Sequence, residues 1–146
     1  MLTRIFRVTK FLVPTLAVWM LFSTTTFAAT CTWTGTYVTL GGAAKNWKYV
    51  DAGSQNTNWN CGYVDPTPNY PQAGDELNFP VPLSSYESIN DFANGTTFSK
   101  ITLAGGDHTI KGNSIHLSSQ DAITYTSSLS AQVFELNITY DHDNPL

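Results

Sequence analysis

Basic residues are scarce in this chain, and they are unevenly placed. Lysine and arginine together number 7 against 11 aspartates and glutamates. Both arginines, Arg4 and Arg7, fall in the first ten residues. A chain so poor in cations has no electrostatic footprint for nucleic acid or for an anionic membrane surface. Cysteine is limited to Cys31 and Cys61, with no Cys-x-x-Cys and no histidine beside either, which argues against a redox or zinc pair. No Gly-x-Ser-x-Gly, phosphate loop or dinucleotide fingerprint occurs. Residues 29–74 contain no window with a 3.6-residue apolar period, so a long helix is not expected there. The one long apolar run, Phe11–Phe22, is shorter than the roughly 20 residues that span a bilayer.

What is present begins with an export signal. Arg4, Arg7 and Lys10 precede the apolar run, and Thr26-Phe27-Ala28 places small residues where a signal peptidase reads. Residues 1–28 are predicted to be a signal peptide cleaved after Ala28, leaving no membrane span. The remainder keeps Lys45, Lys48, Lys100 and Lys111 against all eleven acids, a formal charge of −7. About 118 residues remain, the size of one domain. In an exported chain an even cysteine count favours a Cys31–Cys61 disulfide. The expected location is secreted, periplasmic or at the cell surface.

Two regions follow. Residues 29–74 are dense in reversal signals, among them Gly41-Gly42, Asn60-Cys-Gly62 and Asp65-Pro66-Thr67-Pro68. Short strands are predicted between them at Cys31–Thr34, Tyr37–Leu40 and Trp47–Val50. Residues 75–146 are more regular. Leu77–Phe79, Ser88–Asn90, Phe98–Leu103, Thr109–Ile110, Ser114–Leu117, Ala122–Tyr125 and Val133–Ile138 read as strands, one every 7–11 residues or so, which marks an all-β domain. A β-sandwich and a β-solenoid both fit that spacing. Leu77-Asn-Phe79, Ile101-Thr-Leu103 and Ile123-Thr-Tyr125 recur at intervals of 24 and 22 residues, a period that favours the solenoid. Asn78, Asn90 and Asn113 are expected at tight corners, where asparagine tolerates left-handed backbone and bonds locally.

The series Trp33-x-Gly35, Trp47, Asn58-Trp59 and Pro71-x-x-Gly74-Asp75-x-Leu77-x-Phe79 resembles the N-terminal region of passenger-like bacterial surface proteins. These are grouped with autotransporters and autotransporter-associated β-strand repeat proteins. The segments 90–103 and 110–117 also resemble the first coils of that family, so the similarity runs from Trp33 to Leu117. It implies a short right-handed parallel β-helix, an exported or surface location, and no enzymatic activity here. Family members commonly carry many Gly-rich repeats and a C-terminal barrel or sorting tail. This sequence has neither, which predicts a fragment or a short stand-alone version.

Candidate chemistry is sparse. Trp33, Trp47 and Trp59, with Tyr63 and Tyr70, could stack on the apolar faces of sugars, or could be the core of a disulfide-closed N-terminal cap over residues 29–74; the cap is preferred. Asp75-Glu76 can turn only one carboxylate inward, and Glu87 and Asp91 flank a strand, so no glycosidase pair is expected. Asp107, Lys111 and Asp121 are the set a β-helix polysaccharide lyase fragment would need, with few cations to hold an acidic polymer. His108, His116 and His142 lack metal-ligand spacing, and Asp141-His142-Asp143-Asn144 reads as a polar tail, so neither metal nor cofactor is predicted. The reading is a non-enzymatic, adhesin-like exported β-solenoid. The alternatives are a small secreted carbohydrate-binding module and a fragment of a β-helix enzyme. Partners expected are a glycan or host-surface ligand and a second copy of the chain at an open C-terminal edge.

Overall fold

The structure is a computed structural model that describes residues 28–63, 69–81, 86–126 and 131–141. The predicted signal peptide, through Phe27, lies outside the described residues, as does His142. The fold is all-β. Its strands are β1 (Thr30–Trp33), β2 (Trp59–Asn60), β3 (Glu76–Phe79), β4 (Tyr86–Asn90), β5 (Thr96–Phe98) and β6 (Ile101–Leu103), followed by β7 (His108–Gly112), β8 (Ile115–Leu117), β9 (Ile123–Tyr125), β10 (Val133–Glu135) and β11 (Ile138–Tyr140). Among the described residues, helix is limited to two 3-10 turns, Val38–Leu40 and Gly42–Lys45.

The strands form three sheets, in the orders β2-β1-β3-β6-β9, β10-β7-β4 and β11-β8-β5. The chain visits the sheets in rotation, so each strand from β6 onward lies against the strand three places before it. Those pairings are all parallel, and they join residues 19 to 24 positions apart. Hairpin pairing, on which a sandwich depends, is confined to β1–β2 and the isolated Val50–Thr57 bridge among the described residues.

Alternation builds the core. In β3, β6 and β8 alternate residues point inward and are buried: Leu77 and Phe79, Ile101 and Leu103, Ile115 and Leu117. In-register pairing then stacks like on like, as Leu77 on Ile101 and Phe79 on Leu103. The alternation breaks at corners. Phe98 and Ile101 are both buried although three residues apart, because Ser99-Lys100 turns the chain from one sheet to the next. The single strand predicted over 98–103 is therefore two, and the one over 133–138 divides likewise.

Two predicted strands are absent. Over Tyr37–Leu40 the chain makes a 3-10 turn, with the Tyr37 N–H donated to the Asn58 side chain (2.8 Å) and the Leu40 N–H to Tyr37 O (3.0 Å). Around Trp47–Val50 the amides are claimed singly, Trp47 N by Ile89 O (2.8 Å) and Lys48 N by Asp91 Oδ1 (2.9 Å). With its donors dispersed, the segment cannot form a ladder. Asn78 is mid-strand rather than at a corner, where its Nδ2 donates to Thr32 Oγ1 (3.3 Å). Asn90 and Asn113 do sit at corners. They supply side-chain hydrogen bonds, from Asn90 Nδ2 to Asn113 O (2.7 Å) and from Asn113 Nδ2 to Phe92 O (2.6 Å), while positive φ is left to glycine.

Candidate functional site

The residues singled out in the sequence converge on one end of the ladders. β1 pairs antiparallel with β2 and parallel with β3, which brings Trp33 beside Trp59 and joins the N-terminal segment to the first sheet. Trp33, Trp47 and Trp59 are buried, at 1%, 0% and 3% exposure. Trp33 and Trp47 each meet Trp59 edge-on, at 4.9 and 5.5 Å, and Phe79 lies within 6.2 Å of all three rings. Sugar stacking requires an open ring face, and these indole faces are covered by one another; the tryptophans are core. Tyr63 and Tyr70 are half-buried at its margin.

Cys31 and Cys61 form a disulfide behind this cluster. Their sulfurs and the Asp75 carboxylate lie within 4.8 Å of one another, the spacing of a metal-ligand group. Sulfurs bonded to each other carry no thiolate, so the group offers no soft ligand set. Cys31 Sγ, 3.5 Å from Asp75 Oδ2, has no hydrogen to give and makes a packing contact. Asp75 itself is buried, and it accepts from Ala29 N (2.9 Å), Gln72 N (2.7 Å) and the Tyr63 hydroxyl. Burial and the adjoining carboxylate push the Tyr63 phenol well above its ordinary range. Glu76 turns outward to Lys100 (3.2 Å) and Thr102 (3.1 Å), so the Asp75-Glu76 step divides as the sequence predicts.

Asn58, which the sequence marks only as part of Asn-Trp-Asn, organises the turns. It is fully buried, its Nδ2 donates to Ala44 O (2.7 Å), its Oδ1 accepts from Tyr37 N, and its carbonyl accepts from Thr34 N (2.7 Å). An asparagine among tryptophans in a turn-rich stretch is the signal that marks it.

The remaining candidates do not assemble. Lys111 is held by Glu87 (3.0 Å) and Glu135 (3.2 Å), and Lys45 also reaches Glu87 (3.2 Å), in a ladder of charge across β4, β7 and β10. These lysines hold the Glu87 carboxyl below its ordinary value, and the two glutamates raise Lys111. Of the Asp107, Lys111 and Asp121 set, Lys111 is engaged along its own sheet by Glu87 and Glu135. His108 is buried against Phe79 with Nε2 2.9 Å from Pro80 O, and burial lowers its pKa. His116 lies at the surface, paired with Asp141 at 3.3 Å.

A groove of about 360 Å³ opens beside the aromatic cluster. Thr34, Thr36, Gln55 and Asn56 line it with the edges of Tyr37, Trp59 and Tyr63. The Trp59 indole N–H is buried without a partner. Among the described residues no helix is long and apolar enough to cross a membrane. Comparison with protein-family models, with curated proteins and with solved structures gave no match.

Proposed function

We propose that this chain is an exported, non-enzymatic β-solenoid of the passenger-like or adhesin-like kind, with residues 29–74 as its disulfide-closed cap. The observation that carries the reading is the rotation of the chain through three sheets, with parallel pairing from β3 onward at a near-constant step of 19 to 24 residues. A coil of that length buries its inward side chains only by stacking on the next. The aromatic cluster and the Cys31–Cys61 bridge then cover the first coil, and the outer faces present threonine, serine and asparagine for contact with a surface or glycan. Of the described carboxylates only Asp75 is buried, and its oxygens are taken by hydrogen bonds to Ala29, Gln72 and Tyr63. Two measurements test the reading. Residues 1–28 fused to a reporter that is active only outside the cytoplasm should give activity, and the mature chain should give a strand-dominated circular dichroism spectrum. A silent reporter removes export, and substantial helix removes the solenoid.

A second reading, a small carbohydrate-binding module, draws support from the groove, where Trp59, Tyr37 and Tyr63 stand beside the polar side chains of Thr34, Thr36, Gln55 and Asn56. Polysaccharide titration should shift tryptophan fluorescence if the groove is a sugar site. Unchanged, buried-type emission with every glycan tried would remove it.

A further inference from the structure

Asp75 is a carboxylate 3% exposed whose partners are all neutral: the Ala29 and Gln72 amides and the Tyr63 hydroxyl. Among the described residues no lysine, arginine or histidine lies in ion-pair reach of it. A buried charge without a counter-charge is costly, and three neutral donors offset only part of that cost.

One of those donors is Ala29, the residue that cleavage after Ala28 would leave at the head of the chain. Ala29 is fixed from its other side as well: the Glu76 N–H donates to Ala29 O at 2.8 Å, and Thr30 pairs with Glu76 at the start of the β1–β3 ladder. Ala28 is exposed and Ala29 half-buried, so the predicted cleavage point coincides with the surface of the fold.

We infer that signal cleavage creates an ion pair at the centre of the cap: the freed Ala29 α-ammonium binds the Asp75 carboxylate that its amide N–H touches in the uncleaved chain. The inference rests on the export reading. In the step, a leader-cleaving protease adds one water across the Ala28–Ala29 peptide bond. The carbonyl side leaves as the Ala28 carboxylate, and the nitrogen side becomes –NH3+. The contact at 2.9 Å then changes from a neutral to a charge-assisted hydrogen bond, roughly twice as strong. Removal of the leader is thereby linked to closure of the N-terminal segment, because Asp75 also holds Tyr63 and Gln72 in place.

The test uses the full chain expressed with its own leader in a secreting host. Intact mass of the exported product should correspond to a chain that begins at Ala29. Retention in the cytoplasm with the leader attached overturns the export reading and this inference together. An exported product that begins elsewhere leaves export standing and overturns the inference alone. One extra alanine inserted between Ala28 and Ala29 should move the ammonium away from Asp75 and lower the melting temperature by roughly 4 °C or more. In an Asp75→Asn background the same insertion should have no effect. Equal melting temperatures with Asp75 intact overturn the inference. Should Asp75→Asn fail to fold, NMR titration of the terminal amine decides. The charged or titratable groups around it are Asp75, Tyr63, and Glu76 with its partner Lys100. A value raised above the ordinary 8 or so supports the pair, and an ordinary value refutes it.

Discussion

Gly112 packs against the main chain of Asn90. A Cβ built on Gly112 would run into the Asn90 carbonyl oxygen and lie 2.9 Å from its nitrogen. Gly112 also has φ +108, outside the range that L side chains adopt. The two residues are paired in the β4–β7 ladder, and the next residue, Asn113, donates its N–H to Asn90 O at 2.9 Å. β7 can therefore pair with β4 at this corner only because position 112 has no side chain.

Gly112→Ala should cost about 2–4 kcal/mol, combining backbone strain with displacement of the buried Asn90. Gly95, at φ +75 but with open space around it, should lose roughly 1–2 kcal/mol on the same change. Gly53→Ala, whose nearest contact is 3.5 Å, should stay within about 0.5 kcal/mol of the parent. Urea midpoints for the three variants check the ranking. A Gly112→Ala protein as stable as Gly53→Ala would remove the corner from the account of stacking.

The Cys31–Cys61 bridge closes a loop of 30 residues at the end of the molecule where the tryptophans are packed. Loop-closure entropy gives its removal a cost of about 3–4 kcal/mol. The double variant Cys31→Ser/Cys61→Ser should lose about that much unfolding free energy in urea titration. Because Trp33 and Trp59 flank the two cysteines by two residues each, their fluorescence should shift toward the solvent-exposed range before far-ultraviolet dichroism changes. Simultaneous loss of both signals would mean that the aromatic cluster and the strand ladders unfold as one unit.

Most of the strand pattern after Glu76 is legible in the sequence because alternation in short apolar triplets such as Ile101-Thr-Leu103 directly encodes one buried face. The 24- and 22-residue recurrence likewise gives the register, since Leu77, Ile101 and Ile123 do stack. The region before Gly74 is less legible. There the backbone is shaped by side chains that capture single amides, as Asn58 does for Tyr37 and Asp91 for Lys48, and such long-range capture leaves no local period. The role of Asp75 is invisible for the same reason. Its partners are 3, 12 and 46 residues away.

His108 gives the fold a defined acid response. Its burial holds the imidazole pKa below the ordinary 6.5, against smaller opposing effects from Pro80 O and Asp107. The unfolded chain therefore takes up a proton more readily than the folded one. Stability from this group is complete above pH 6.5 and is lost as pH falls through the depressed folded value. Glu87, also depressed, adds a second loss below its ordinary 4.5, kept small by its exposure at the surface. Urea midpoints should decline from about pH 6.5 downward. His108→Gln should flatten the upper part of that decline. An unchanged profile in the variant would place the acid response elsewhere.

Among the described residues, β9, β10 and β11 each pair on one side only, at the end of the ladders away from the cap. Ile123 and Tyr125 continue the stacks of Leu77 and Phe79, yet they are 47% and 44% exposed, and Tyr140, above Leu117, is 59% exposed. Edge strands that carry exposed apolar side chains template pairing with another chain. A protein of residues 29–146 should accordingly self-associate, with a weight-average mass in sedimentation equilibrium that rises with concentration. Ile123→Lys combined with Thr139→Lys puts like charges on two of the three edges and should return the protein to a monomer. Because Ile123 is about half exposed already, the melting temperature of that variant should fall by only a few degrees. If the parent chain remains strictly monomeric at high concentration, these edges are not an assembly surface.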